Sequence, residues 1–142
     1  MARLVAAFCL IMVMGLALPV KAQPVSPDEA RAARAIVSGQ LEAFASDDAK
    51  RAFGYAAPAI REMFGTPERF LAMVRAGYPA VYRASGVTFL IPLRVQGQLF
   101  QGVHLTDAAG VLWLATYRLE RQPDGAWRIA GCELQPATGQ II

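Results

Sequence analysis

Tyrosines and arginines cluster near the middle of the chain, in the segment RAGYPAVYRASG at residues 75–86. Tyr78 and Tyr82 lie four residues apart, and Arg75 and Arg83 bracket them. Two phenols and two guanidiniums could receive an anionic or planar ligand, because guanidiniums form charge-assisted hydrogen bonds and stack on aromatic faces. These four residues are therefore candidate ligand-binding residues.

The same segment, residues 75–86, also fits a purely structural role. Gly77 is suited to end a helix, and Pro79 opposes the helix resuming while it biases the residue before it toward an extended conformation. The tyrosines would then pack at a junction between helix and sheet. Each arginine would pair with a carboxylate such as Glu62 or Glu68. The residue types alone leave both interpretations open.

Acid–base chemistry would need a carboxylate or a phenol facing the interior of the fold. Tyr117 is a candidate pocket wall, because a buried phenol must satisfy its hydroxyl. Glu133 would face inward only in a regular strand. A β-bulge at Ala130-Gly131 would turn Cys132 and Leu134 inward and Glu133 toward solvent. The other predicted inward positions are apolar, which favours binding over catalysis and leaves no assigned catalytic residue.

Metal and nucleophilic catalysis find few suitable residues. The chain has one histidine and two cysteines, and no HExxH or CxxC spacing, so neither a metal site nor a cofactor is predicted. A Ser-His-Asp triad would depend on His104, which the predicted register places on the outer face of the sheet. The adjacent acids Asp47 and Asp48 precede a helical segment and are interpreted as caps rather than as a carboxylate metal site.

The N-terminus has the layout of a secretory signal peptide. Arg3 precedes an apolar run at residues 4–18, and Val20-Lys21-Ala22 places small residues at the cleavage positions. The run is shorter than the roughly 20 residues of a membrane-spanning helix. We expect cleavage near Ala22 and a periplasmic or secreted protein, with an uncleaved anchor as the alternative. The membrane would then be contacted only through this segment before cleavage.

Removing residues 1–22 changes the charge balance. The full chain has 14 basic and 11 acidic residues, and the loss of Arg3 and Lys21 leaves 12 against 11. A nearly neutral domain has no broad field to attract nucleic acid, so no nucleic-acid partner is expected. Only Cys132 remains in the mature chain, which excludes an intramolecular disulfide and predicts a buried thiol, with an intermolecular disulfide or a reactive thiol as the alternative.

The remaining residues, 23–142, are predicted to form a single domain with helices first and strands second. Caps, first-turn prolines and apolar residues at helical spacing indicate the helices, and a change to a period of two after Gly86 indicates the strands. Pro92 suggests an edge position or a bulge in the first strand. The predicted helices cover about 27–45, a short segment after 46–48, 58–64 and 67–76; the strands cover 87–95, 99–106, 111–121 and 126–134.

The turn Pro123-Asp124-Gly125 fixes a hairpin register. Pairing outward from this turn places Leu119 opposite Ile129 and Tyr117 opposite Gly131. The heavier face of the sheet is then expected to pack on the helices; it carries Val103, Leu105, Trp113, Ala115, Tyr117, Leu119, Trp127 and Ile129.

The opposite face of the predicted sheet is apolar for a solvated surface. Phe100, His104, Leu112 and Leu114 all fall on it. Apolar surface of this kind is typical of an interface. We predict a homodimer packed sheet to sheet through these four residues, with partial cover by the chain ends as the alternative.

Two segments carry a family resemblance, FGTPERFLAMVRAGYPAVYR at 64–83 and LERQPDGAWRIAGC at 119–132. The chain resembles an uncharacterised "domain of unknown function" family of exported bacterial proteins within the NTF2-like, cystatin-like superfamily. Gly-Tyr-Pro-x-Val-Tyr-Arg is specific to the family, whereas Asp-Gly-x-Trp-Arg-Ile is common across the superfamily. The resemblance implies an α+β fold in which N-terminal helices pack on a curved antiparallel sheet of about four strands, forming a cone with a pocket at its open end.

That resemblance implies a fold and a location but no reaction. Some superfamily members use the pocket as isomerases or dehydratases, and others bind ligands or partners without chemistry. We predict a non-catalytic exported domain that binds a small ligand or a protein partner through Tyr78, Tyr82, Arg75, Arg83, Tyr117 and Glu133. The alternative is a small-molecule isomerase, dehydratase or hydrolase that uses Tyr117, Glu133, Tyr78 or Arg75.

Overall fold

Five helices precede five strands in the computed structural model, which describes residues 19–137. The apolar run of the predicted signal peptide lies outside the described residues. The helices are α1 (Pro27–Ala45), α2 (Ala49–Gly54), α3 (Pro58–Phe64), α4 (Pro67–Gly77) and α5 (Pro79–Tyr82). The strands are β1 (Gly86–Phe89), β2 (Leu93–Val95), β3 (Gln98–Thr106), β4 (Leu112–Arg121) and β5 (Trp127–Pro136).

Local signals in the sequence start α1 where they were expected to. The Ser26 hydroxyl accepts a hydrogen bond from the Glu29 backbone N–H at 3.2 Å, and the Glu29 carboxylate accepts one from the Ser26 N–H at 3.0 Å. This confirms the predicted capping box, which satisfies two N–H groups that the first helical turn leaves unpaired. The apolar stripe of α1 packs in the core; its buried members include Ala33, Val37, Leu41 and Phe44.

The segment at residues 75–86 contains an element that was not predicted. Helix α4 ends at Gly77, and Tyr78 leaves helical geometry with φ −134° and ψ 61°. Pro79 then begins the single turn of α5, so the expectation that it prevents a helix from resuming is wrong. Proline is well suited to a first helical position, where its fixed φ is already helical and the missing N–H costs nothing. The turn of α5 buries Val81 against the core.

An antiparallel sheet in the order β1-β3-β4-β5 packs one face against the helices, and β2 also pairs with β3. The predicted α+β class is confirmed, with an open sheet of five strands instead of about four. The difference arises at residues 90–92, where the chain leaves the ladder around Pro92. The predicted inward face is confirmed as the sheet's contribution to the core. Its buried members are Val103, Leu105, Ala115, Tyr117, Leu119, Trp127 and Ile129. Trp113 is only partly buried but packs against the core, and Leu99, which was not predicted, is also buried there.

The β4–β5 register agrees with the prediction near the turn and departs from it farther away. Leu119 pairs with Ile129 as expected. The register then shifts by one residue, so that Tyr117 pairs with Cys132 and the predicted pairing of Tyr117 with Gly131 is wrong. A shift of this kind is a β-bulge, in which two residues of one strand lie opposite one residue of the other.

This bulge leaves Ala130 as the extra residue of β5. It lies where the sequence left a bulge open as an alternative, and its consequences are the expected ones. Cys132 and Leu134 pack against the core, while Glu133 between them is exposed. The bulge therefore decides which side chains of β5 face the helices.

The opposite face of the sheet carries the residues predicted for it. His104 pairs with Leu114, and Thr106 pairs with Leu112. Leu112 and Leu114 of β4 therefore lie beside the two β3 residues on this face. Phe100 lies on the same face, and all four predicted residues are half-buried. The predicted dimer interface stays a prediction. Within residues 19–137, no helix is both long enough and apolar enough to cross a membrane.

Candidate functional site

A cavity of about 310 Å³ lies between the helices and the inner face of β4 and β5. Its walls come from α1, α3, α4, α5 and the bulged part of β5. Most of the lining is aliphatic or aromatic, with Phe44, Ile60, Phe64, Phe70, Met73 and Val74 as its main apolar members. Pockets that bind small molecules occupy about 300–1,000 Å³ and are mainly apolar, so this cavity lies at the lower end of that range.

Aromatic packing builds one wall of the cavity. The ring of Phe70 lies at the centre of a group of four phenylalanines, with centroid distances of 5.8 Å to Phe44, 5.6 Å to Phe53 and 5.6 Å to Phe64. These distances and the tilted ring planes fit favourable aromatic contacts. Because α1, α2, α3 and α4 each contribute one ring, the packing of four helices fixes the shape of this wall.

Tyr117 places a polar group in this apolar setting. Its side chain is 1% exposed, and its hydroxyl has no hydrogen-bond partner among residues 19–137. The register shift pairs Tyr117 with Cys132, whose thiol is near enough to affect the pKa of the hydroxyl but is only a weak hydrogen-bonding group and does not meet hydrogen-bond geometry. Burial raises the pKa of Tyr117 well above its usual value. Tyr117 therefore carries a neutral, buried hydroxyl with unused hydrogen-bonding capacity at the wall of the cavity.

The thiol of Cys132 also lines the cavity and is not activated as a nucleophile. Burial is the main cause that raises its pKa, to about 12; the neighbouring Tyr117 hydroxyl opposes the shift, and the charge of Glu133 adds to it. Because the thiolate is the reactive form, a pKa this high keeps the group inert near neutral pH. No group of three or more histidine, cysteine, aspartate or glutamate side chains in the described chain is arranged to hold a metal ion.

Gln40 is a polar lining residue that was not predicted. Its side chain is buried, and its amide Nε2 donates to the main-chain carbonyl of Ala52 at 3.2 Å, which fixes the orientation of the side chain. The signal in the sequence is that Gln40 interrupts the apolar stripe of α1, three residues after Val37 and four before Phe44. A polar residue on a buried stripe needs a partner or a function.

The predicted site residues separate into three places. Tyr78 and Tyr117 line the cavity. Arg75, Tyr82 and Arg83 lie outside its lining, in a surface group described below. Glu133 is exposed to solvent because of the bulge in β5. The predicted binding set is therefore not one site, and only its two tyrosines at positions 78 and 117 meet at the cavity.

Arg75, Tyr82 and Arg83 converge on the carboxylate of Asp47, and we name these four residues the Asp47 cluster. Arg83 Nη2 lies 2.8 Å from Asp47 Oδ2, Arg75 Nη2 lies 3.6 Å from Oδ1, and the Tyr82 hydroxyl donates to Oδ1. Both guanidiniums also lie over the Tyr82 ring, at 5.3 and 4.5 Å from its centroid. The hydrogen bond from Tyr82 and the two positive charges hold the pKa of Asp47 below its usual value.

The predicted pairing of these arginines with Glu62 or Glu68 is wrong. Their partner is Asp47, which follows α1 with a φ of 54°, a conformation that aspartate tolerates better than most residues. Asp48 alone has the predicted capping role, since its Oδ1 accepts a hydrogen bond from the Arg51 N–H at 3.1 Å. The Asp47 cluster thus ties the end of α1 to α4 and α5 and uses the charges that were predicted to bind a ligand.

A family model described as a domain of unknown function (DUF4864) matches residues 26–142, which includes all five helices and all five strands. No curated protein and no solved structure matches the chain significantly.

Proposed function

The chain belongs to the DUF4864 family, and we propose that its domain binds a small, mainly apolar molecule in the cavity without catalysing a reaction. The observation that carries this proposal is the mainly apolar cavity of about 310 Å³, half open to solvent, between the helices and the inner face of the sheet. Protein interiors are normally filled to the density of organic crystals, so a space of this size next to well-packed aromatic rings fits a ligand site.

The groups that face the cavity favour binding over catalysis. Tyr117 and Cys132 have raised pKa values, so both are neutral near neutral pH. The alternative enzyme needs an acid or a base in the cavity, yet Glu133 is exposed and Arg75 belongs to the Asp47 cluster. No carboxylate or imidazole is found among the described residues that line the cavity. General acid–base catalysis needs a proton donor or acceptor within hydrogen-bond reach of the substrate, and burial keeps the Tyr117 phenol and the Cys132 thiol protonated, so neither is suited to act as a base.

Binding can be tested with tetralin, an apolar hydrocarbon, by measuring the thermal unfolding temperature of the purified exported protein. We expect tetralin to raise the unfolding temperature of the wild type, because a ligand that binds only the folded state stabilises it. Ile60→Trp fills the cavity and should remove this rise. Ile91→Trp is the matched control, since Ile91 is 87% exposed and lies outside the cavity lining. A rise in Ile60→Trp equal to that of the wild type would place binding elsewhere.

We also propose that the protein is exported and cleaved after Ala22. Ala22 is exposed, and the backbone N–H of Gln23 donates to the Arg94 carbonyl at 2.8 Å, so cleavage there would leave the first residue of the mature chain paired with the edge strand β2. The intact mass of the protein recovered from the exported fraction tests this proposal. A mature chain that starts at Gln23 is expected, and a mass that retains residues 1–22 would contradict it.

The proposed architecture is an NTF2-like cone that dimerises through the outer face of its sheet. Half-buried Phe100, His104, Leu112 and Leu114 support an interface there, because apolar surface of this kind favours association. Sedimentation of the exported protein tests the dimer. Leu114→Glu should produce monomers, whereas Glu133→Gln, on the same sheet face, should not. A wild type that sediments as a monomer would contradict the interface.

A further inference from the structure

Resting on the proposed binding function, we propose that the cavity selects an uncharged carbonyl compound with an apolar body, whose oxygen accepts a hydrogen bond from Tyr117. The proposal joins three observations: a buried hydroxyl without a hydrogen-bond partner among residues 19–137, a cavity that the Tyr117 side chain borders, and a described lining without charged side chains. Together they restrict the chemical class of the ligand.

The Tyr117 hydroxyl is the first observation. More than nine-tenths of buried polar groups in proteins have a hydrogen-bond partner, so an exception calls for an explanation. Two side-chain atoms in the described chain are buried without one, the Tyr117 hydroxyl and Arg94 Nε. Arg94 is already engaged through its Nη2, which pairs with Glu29. Tyr117 has no other polar atom, and it borders a cavity large enough for a ligand.

The donor character of the phenol favours a carbonyl oxygen over a ligand that only donates. A phenol donates a hydrogen bond more strongly than it accepts one, because its oxygen lone pair is delocalised into the ring. Its neighbour Cys132 is a weak hydrogen-bonding group and remains protonated, since burial raises its pKa to about 12. A ligand carbonyl would therefore complete the hydrogen bonding of Tyr117, which a hydrocarbon would leave unsatisfied.

The lining of the cavity excludes charged ligands. None of the described lining residues is lysine, arginine, aspartate, glutamate or histidine. A charge moved into such a site without a counter-ion would lose its hydration and gain no ion pair. The nearest candidates for recognising an anion were Arg75 and Arg83, and both are bound to Asp47 outside the lining. The ligand that fits the cavity is therefore neutral.

Three matched probes test this proposal on the purified exported protein by isothermal titration calorimetry: tetralin, its ketone α-tetralone and a tetralin carboxylate. We expect the wild type to bind α-tetralone about tenfold more tightly than tetralin, the effect of one net hydrogen bond. Tyr117→Phe should abolish this preference, so that α-tetralone and tetralin bind the variant with similar affinity. Tyr55→Phe, a matched change outside the cavity lining, should keep it, and the carboxylate should not bind.

The possible results separate the two proposals. If none of the probes binds, the binding function fails and the ligand class fails with it. If tetralin binds but α-tetralone is not preferred, or if the preference survives in Tyr117→Phe, binding stands and the ligand class is overturned. Preferential binding of the carboxylate also overturns it.

A second measurement uses the unaltered protein and does not depend on how Tyr117→Phe folds. The infrared stretching frequency of the carbonyl in bound α-tetralone should be lower than that of the ketone in a hydrocarbon solvent, because a hydrogen bond weakens the C=O bond. An unshifted frequency in the bound state overturns the proposed contact with Tyr117.

Discussion

Tyr82 and Tyr117 show two opposite ways of placing a phenol in this fold. Tyr82 lies near the surface, donates to Asp47 and contacts the guanidinium of Arg83, so its hydrogen bonding is complete. Tyr117 is buried against an apolar cavity, and its hydroxyl has no partner among the described residues. Tyr82 and the two arginines of residues 75–83 that were predicted to bind a ligand are therefore paired with Asp47, while Tyr117, alone in a strand, keeps unused hydrogen-bonding capacity.

The Asp47 cluster and the Tyr117 hydroxyl also differ in what they contribute to stability. The ion pairs of the Asp47 cluster join side chains that are about half exposed, so solvent screens them and they contribute little to stability beyond holding α1, α4 and α5 in place. The hydroxyl of Tyr117 instead carries a cost in the empty protein, because a buried polar group without a partner is destabilising. A buried polar group without a partner calls for an explanation, and the one proposed above is a ligand that completes its hydrogen bonding.

The largest effect is expected from breaking the cavity wall with Phe70→Ala. Phe70 is buried and packs against three other phenylalanine rings, so its truncation to alanine should lower the free energy of unfolding by about 3–5 kcal/mol. Urea denaturation measures this change. Met63→Ala is the control, because Met63 is 75% exposed and should change stability by less than about 0.5 kcal/mol. Equal losses in the two variants would show that the wall is not packed as described.

Tyr117→Phe should act in the opposite direction in the absence of ligand. Removing a buried hydroxyl without a partner should leave the free energy of unfolding unchanged or raise it, by at most about 1–3 kcal/mol. Tyr82→Phe removes a hydrogen bond to Asp47 and should lower stability slightly. Urea denaturation of both variants compares the two phenols directly. A clear loss of stability in Tyr117→Phe would show that its hydroxyl is already hydrogen-bonded in the protein.

Local signals explain why most of the fold could be predicted from the sequence. The capping box at Ser26, the proline that begins each of α1, α3 and α4, and the turn at Pro123-Asp124-Gly125 act over a few residues, and the structure follows them. The alternation of buried and half-buried residues in β3 is equally regular. Elements set by short-range chemistry were therefore found with nearly correct bounds.

The candidate site depends on longer-range facts that residue spacing does not contain. The bulge at Ala130 shifts every later residue of β5, and nothing in the local sequence requires it to lie there. Asp47 reaches Arg83 across 36 positions, whereas the predicted partner Glu68 is closer in sequence but makes no such contact among the described residues. The unpaired state of the Tyr117 hydroxyl depends on which atoms surround it and became visible only in three dimensions.

Acid should weaken the Asp47 cluster. The pKa of Asp47 is lowered in the folded protein from 3.8, first by the hydrogen bond from Tyr82 and also by Arg83 and Arg75. A lowered pKa means that this stabilisation is present above the unfolded-state pKa and is lost as the pH falls through the folded-state pKa. We therefore expect stability to fall below about pH 4 in the wild type and less steeply in Asp47→Asn.

The urea midpoint, measured from neutral pH down to about pH 3, follows this loss in both proteins. Glu68→Gln is the control, because the exposed carboxylate of Glu68 forms no ion pair among the described residues. It should keep the wild-type pH profile. If Asp47→Asn has the same profile as the wild type, the contacts of Asp47 do not contribute to stability in solution.

The smallest effect is expected from Glu133→Gln, although Glu133 was a candidate acid or base of the alternative enzyme. Its side chain is exposed because of the bulge, so the substitution should change the free energy of unfolding by less than about 0.5 kcal/mol and leave the affinity for α-tetralone unchanged. Cys132→Val, one position earlier on β5, alters the cavity lining and should change that affinity. The reverse result, in which only Glu133→Gln alters binding, would mean that β5 runs without its bulge and that the carboxylate faces the cavity.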